Sequence, residues 1–134
     1  MDVDNMIGVS DERFEHWWEK SKPYIADALE KSGETHSVED VLDELQSNYA
    51  IFYPVKNGAA IFRVQHHPRR KLLSSWLAGG DMDANIDAIL EAAEFHAKEF
   101  GCSGISVAGR KGWARVLKPR GYDYKRVVLI KDMN

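Results

Sequence analysis

Residues 72–107 read LLSSWLAGGDMDANIDAILEAAEFHAKEFGCSGISV. The apolar stretch from Leu72 stops at the paired glycines Gly79-Gly80. Asp81 and Asp83 then compete to cap a helix whose Ile86, Ile89, Leu90, Ala93 and Ala97 fall on one face and which ends before Gly101. Gly104 to Val107 follows as a short strand. A strand that breaks at glycines and hands over to a helix leaves free backbone N–H groups at the positive end of the helix dipole, a place where an anion can dock.

The segments before this unit read as follows. Met6-Ile7-Gly8-Val9 predicts an edge strand. Ser10 before Asp11-Glu12-Arg13 predicts a helix from Asp11, with Phe14, Trp17 and Trp18 as its apolar stripe. Pro23 suits the first turn of a second helix, carrying Tyr24, Ile25, Ala28 and Leu29 and closing at Gly33. Ser37 with Asp40 is a shortened capping pattern for a third, whose buried face is Val38, Val41, Leu42 and Leu45. Tyr49–Tyr53 and Ala59–Val64 are strands joined through Asn57-Gly58, a hairpin turn signal. After the turn His66-His67-Pro68, Arg69–Ala78 is a strand whose apolar residues do not alternate cleanly, so it carries a bulge or is buried on both faces. Downstream, Lys111–Leu117 predicts a helix blocked by Pro119, and Tyr124–Lys131, with Val127, Val128, Leu129 and Ile130 at its centre, a closing strand.

The chain has 134 residues, 44% of them hydrophobic, and this predicts a single α+β domain spanning 1–134. No apolar run reaches the roughly 18 to 20 residues of a membrane span, and the start lacks the form of a secretion signal. The expectation is a soluble cytoplasmic protein without a membrane partner. Cys102 has no partner for a disulfide and reads as a packed thiol. The net charge of −3 conceals an asymmetry: residues 1–50 hold 13 acidic and 4 basic groups (−9), residues 51–134 hold 8 and 14 (+6). The basic part either faces phosphate or matches the acidic part within the molecule. Arg110, Lys111, Arg115, Lys118 and Arg120 form its densest patch. It would line a nucleic-acid surface or hold a ligand phosphate, but no nucleic-acid motif accompanies it. His66-His67 reads as a surface turn, since adjacent side chains on an extended segment point apart, and no metal-ligand spacing is present. Trp17, Trp18 and Trp113 read as core or rim aromatics. No Ser-His-Asp order, Cys-His pair or phosphate-cradling lysine loop is present.

The order of elements, and the segment Trp113 to Tyr122 with its helix, Gly121 and following aromatic, resemble the GNAT acyltransferase superfamily over nearly the whole chain. The resemblance implies a mixed, twisted sheet flanked by helices. It also implies acyl-CoA in a notch between Trp76-Leu77-Ala78 and Ile105-Ser106-Val107, with Leu77, Ala78, Gly79 and Gly80 as the cofactor-binding segment. Two departures stand against it. The family's phosphate loop, Gln or Arg, two residues, Gly, one residue, Gly or Ala, has no match in residues 77–84, where two carboxylates would each oppose a pyrophosphate by about 1 kcal/mol in a solvent-like dielectric. The tyrosine that many members use to protonate the leaving thiolate falls on Leu117, which has no proton to give. Tyr122 is the remaining candidate acid.

The leading reading is therefore a GNAT-fold protein with a degenerate acyl-CoA site. It is similar to small bacteriophage-encoded proteins of this fold, and would act without catalysis or cofactor as an accessory or virion component through protein contacts, possible partners being phage structural proteins, in the host cytoplasm or the virion. The alternative is an active acetyl-CoA-dependent N-acyltransferase with an atypical phosphate loop.

Overall fold

A computed structural model describes residues 7–47, 49–108, 112–126 and 128–133. Two helices, α1 (Phe14–Lys31) and α2 (Val38–Gln46), precede the strands β1 (Ile51–Val55), β2 (Gly58–His66) and β3 (Lys71–Gly80). Helix α3 (Met82–Glu99), strand β4 (Gly104–Val107), helix α4 (Gly112–Leu117) and a 3₁₀ turn (Lys118–Arg120) follow. The sheet order is β1-β2-β3-β4, antiparallel except for the parallel pair β3-β4.

Side chains that alternate along the strands separate two cores. Phe52, Ala59, Ile61, Trp76 and Leu77 face α1 and α2, while Tyr53, Val55, Ala60, Phe62 and Leu73 face α3. Helix α1 meets its face through Phe14, Trp18, Ser21, Ile25 and Leu29, one stripe at helical spacing. Phe14 and Trp18 pack edge-on against Phe52, and Trp17 sits at the rim under Lys20.

The break expected before Pro23 does not occur, because α1 runs through it. Proline there forfeits one intrahelical hydrogen bond, and the buried stripe on both sides outweighs that loss. Two helices, not three, therefore precede the sheet. The helix begins at Phe14, not Asp11: the Asp11 carboxylate accepts the Arg13 amide at 2.8 Å and its guanidinium at 2.9 Å, closing a turn ahead of the helix. The side-chain bond to Arg13 is the main reason the Asp11 carboxyl is held down at about 2. Ile7–Val9 forms no strand. Ile7 is buried and makes a single backbone bond to Phe52 (3.4 Å), and Met6 lies outside the described residues. The capping box at α2 is complete, with Ser37 Oγ accepting from the Asp40 amide (3.1 Å) and Asp40 accepting from the Ser37 amide (2.8 Å).

The β1-β2 hairpin closes with Val55 opposite Gly58, so its turn is Lys56-Asn57, with Asn57 at φ +58°. Strand β3 holds both features that its irregular pattern left open. It is buried continuously from Leu73 to Leu77, and it bulges: Ile61 faces Leu77 and Phe62 faces Ser75, leaving Trp76 as the extra residue. The 124–131 segment is not a strand among its described residues, and Val127 lies outside them. It runs exposed along the surface until Ile130 covers Gly33.

His96 lies on α3 against Phe95 and Phe100, 4% exposed, and neither ring nitrogen has a hydrogen-bond partner. Burial pushes its pKa below 6.5, outweighing the opposite pull of Glu99 3.9 Å away. The folded protein thus resists protonation of His96 more than the unfolded chain does, where the ordinary value is near 6.5. Its contribution to stability is complete above that pH and is lost as pH falls below it, at up to about 1.4 kcal/mol per unit. Urea denaturation at pH 7.5 and 5.5 should show this loss, and His96→Leu should remove most of it.

Candidate functional site

Strands β3 and β4 form a seam that is fastened at one end and open at the other. At the fastened end the Arg70 guanidinium spans the strands to Ser103 Oγ (3.1 Å) and Ser103 O (3.3 Å), and the Ser103 amide donates to Lys71 O (2.8 Å). The pairing runs from Leu72/Gly104 to Ser75/Val107, and a long 3.5 Å bond from the Ala108 amide to Ser75 O is its last contact. Trp76, the bulge residue, comes next. From there to Gly80 β3 continues with β2 on one side and no strand on the other among the described residues. Alternate N–H and C=O groups of residues 76–80 therefore face the open notch, unpaired by any strand. An extended, amide-bearing chain is the natural complement to such an edge.

Helix α3 starts at the head of the notch. Asp81 is its N-cap and Asp83 sits in the first turn: Asp81 Oδ1 accepts the Ala84 amide at 3.2 Å. The Met82 and Asp83 amides have no acceptor within the helix. A cation distant in sequence also reaches α3, where Arg120 Nη1 lies 2.6 Å from Asp87 Oδ1. Its partner is Asp87, further along the helix than the loop carboxylates Asp81 and Asp83.

Gly79 and Gly80 have structural reasons to be glycine. A Cβ on Gly79 would come 2.5 Å from the Tyr24 carbonyl oxygen, so α1 rests directly on the strand there. Gly80 has φ +99°, and a Cβ would run into the backbone of Asn57 and Gly58. The pair is thus explained by close packing, with only their backbone groups left to serve a ligand.

Of the remaining site residues anticipated from sequence, Leu77 is buried and Ala78 half-buried, both in the β3 edge that lines the notch. Leu117 is core, packed with Ile86 and Leu90. Tyr122 packs against that cluster, as does Val107, the last paired residue of β4, and the Tyr122 hydroxyl is buried without a hydrogen-bond partner among the described residues. Burial, with Glu94 adding to it, raises the Tyr122 pKa above 10, so the phenol stays protonated at neutral pH. Tyr122, Leu90, Glu94 and Arg120 border a groove of about 300 Å³. In the basic patch Arg115 and Lys118 are exposed and Arg120 is paired, while Arg110 and Lys111 lie outside the described residues.

Sequence reasoning missed one polar cluster on the α1-α2 side of the bulge. The Arg63 guanidinium stacks 3.7 Å from the Trp76 ring centre and lies 3.3 Å from Glu44 Oε1. His36 packs edge-on against the same indole, its Nε2 3.6 Å from Glu44 Oε2 and its Nδ1 2.8 Å from Thr35 Oγ1. The four residues are dispersed in sequence, and only the bulge that turns Trp76 towards α1 and α2 gathers them. No local pattern could have signalled it. A groove of about 480 Å³ between α1 and α2, with Asp11, Glu12, Glu15 and Glu39 on its walls, lies apart from this chemistry.

No protein-family model and no curated protein sequence matches the chain. Solved structures do. A probable acetyltransferase is 12% identical, with a TM-score of 0.66 over 96% of this chain and 97% of its own. The fold is that of the GNAT acetyltransferases. A ribosomal-protein-alanine N-acetyltransferase from Brucella melitensis aligns at 13% identity and TM-score 0.62, covering 88% of this chain and 94% of its own. An aminoglycoside 6'-N-acetyltransferase from Acinetobacter haemolyticus aligns at 11% and 0.60, covering 100% and 99%. At these identities what is shared is the GNAT fold, with the seam between β3 and β4 in the place where the sequence resemblance puts the notch.

The packing at Gly79 yields a direct check. Gly79→Ala should lower the unfolding free energy by about 2 kcal/mol through the clash with Tyr24, whereas Gly8→Ala, with nothing within 4 Å of the added carbon, should change it little. Urea titrations followed by circular dichroism measure both.

Proposed function

We propose that the protein is an acyl-CoA-dependent N-acyltransferase. The observation that carries this is the seam opening at Trp76 on the strand that leads through Gly80 into α3, which offers an extended backbone edge ending at a helix N-terminus. The pantetheine arm of the acyl donor would lie along residues 76–80 as an added strand. Its pyrophosphate would meet the first-turn amides of α3. The residues fit the donor in these respects, and the carboxylates of Asp81 and Asp83 weaken the fit. The reported relatives' names support the same reading, since both named acceptors are amines.

In this reading the acceptor amine approaches from the α1-α2 side, where His36 and Glu44 are the titratable groups beside Trp76. His36 takes the proton that the amine must lose, and Glu44 next to it stabilises the resulting cation. Arg63 holds Glu44 and Trp76 in register. Tyr122, kept protonated by burial, supplies a proton to the departing thiolate in place of the tyrosine that Leu117 has replaced.

The non-catalytic accessory or virion reading, with phage structural proteins as partners, rests on the missing phosphate-loop pattern and on Leu117. The solved relatives favour its alternative, and nothing in their names points to a virion role. Among the described residues no helix is long and apolar enough to cross a membrane.

Calorimetric titration with acetyl-CoA should give saturable binding in the micromolar range, and absence of binding would overturn the proposal. With an amine acceptor identified, His36→Gln and Tyr122→Phe should each lower kcat by about 10²-fold while leaving acetyl-CoA affinity within about threefold. Loss of affinity in step with kcat would assign those residues to the fold instead.

A further inference from the structure

The turn that joins β1 to β2 carries a lysine to the start of α3. Between Ser32 and Phe62, Lys56 is the sole Lys or Arg, and residues 72–97 hold none. Neither the loop after β3 nor the body of α3 can therefore supply a cation to its own helix start. The hairpin brings one. Asn57 O accepts the Asp81 amide at 2.9 Å, and Asn85 Nδ2 donates both to Lys56 O (2.8 Å) and to Asp81 O (2.8 Å). A single side-chain amide thus bridges the backbone of Lys56 and that of the helix N-cap.

The turn itself is well defined, because Val55 pairs with Gly58 and Asn57 takes the positive φ of +58° that so short a connection needs. Lys56 is held beside the start of α3 by backbone geometry, while its side chain is exposed and has no ion-pair partner among the described residues. Asp81 meanwhile directs its carboxylate to the Ala84 amide (3.2 Å). A lysine ammonium is a strongly hydrated charge on a flexible four-carbon stem, which can swing to an anion bound at the neighbouring helix start. The carboxylates of Asp81 and Asp83 oppose a diphosphate there, and the first-turn amides with one ammonium offset that repulsion.

We infer that Lys56 is the side chain that engages the diphosphate of the acyl donor, reaching it from the hairpin because the loop after β3 carries carboxylates in place of a cation. This rests on the acyltransferase reading and assigns that site a binding residue distant from it in sequence.

Calorimetric titration with acetyl-CoA tests the assignment. Lys56→Ala should raise Kd about tenfold, and Lys56→Arg should keep it within about threefold of the wild type. Neither change should move the urea midpoint, since the side chain is exposed. Added salt should weaken binding less in Lys56→Ala than in the wild type. The effect of Lys56→Ala should persist in an Asp83→Asn background; its disappearance there would show that Lys56 merely masks Asp83 and would overturn the inference. A Kd unchanged by Lys56→Ala would also overturn it, leaving the acyltransferase reading in place, whereas a wild type that binds no acetyl-CoA would overturn both. A lowered urea midpoint without rescue by arginine would assign Lys56 to the hairpin instead.

Discussion

The rest of the structure depends on one extra residue in β3. With β2 as the ruler, Trp76 has no counterpart between Leu77 opposite Ile61 and Ser75 opposite Phe62. The bulge bends β3 just where its pairing with β4 ends, so the notch and the kink are one event. It also puts two successive residues, Trp76 and Leu77, into the same core, and thereby brings an indole under Arg63 and beside His36. A regular strand would have sent Trp76 and Leu77 to opposite faces, leaving the polar cluster without its platform.

Much of this was readable from residues whose signals are local. Ser37 and Asp40 fix the start of α2 by mutual hydrogen bonds three residues apart, and Asn57 supplies the positive φ that its hairpin requires. Helix α3 declares itself by its apolar spacing, its Asp81 cap and the left-handed Gly101 at its end. The irregular apolar pattern of β3 announced that something interrupts its alternation. Burial decided what could not be read locally. Pro23 is a helix breaker by local chemistry, yet Ile25 and Leu29 beyond it continue the stripe begun by Phe14 and Trp18, and the sheet beneath holds them in line. Propensity is equally blind at residues 124–131, where β-branched residues specify a strand but only an available edge can make one.

The candidate site was legible in place but not in character. Sequence locates the notch and sees two carboxylates in its loop, while the structure shows Asp81 committed to a helix amide and Arg120 paired with Asp87 further along α3. It also gives Gly79 and Gly80 a packing role against α1 and the hairpin. Long-range charge placement of this kind leaves no trace in residue spacing, because the two partners are joined only by the path of the chain.

The hairpin turn of β1 and β2 is tied to the start of α3 by three links. The Asp81 amide donates to Asn57 O (2.9 Å), Asn85 Nδ2 reaches Lys56 O (2.8 Å), and Gly80 lies flat against Gly58. A surface turn that elsewhere tolerates insertion freely is here the hinge pin of the helix: lengthening it would release the orientation of the first helical turn, and with it the aim of whatever amides that turn presents.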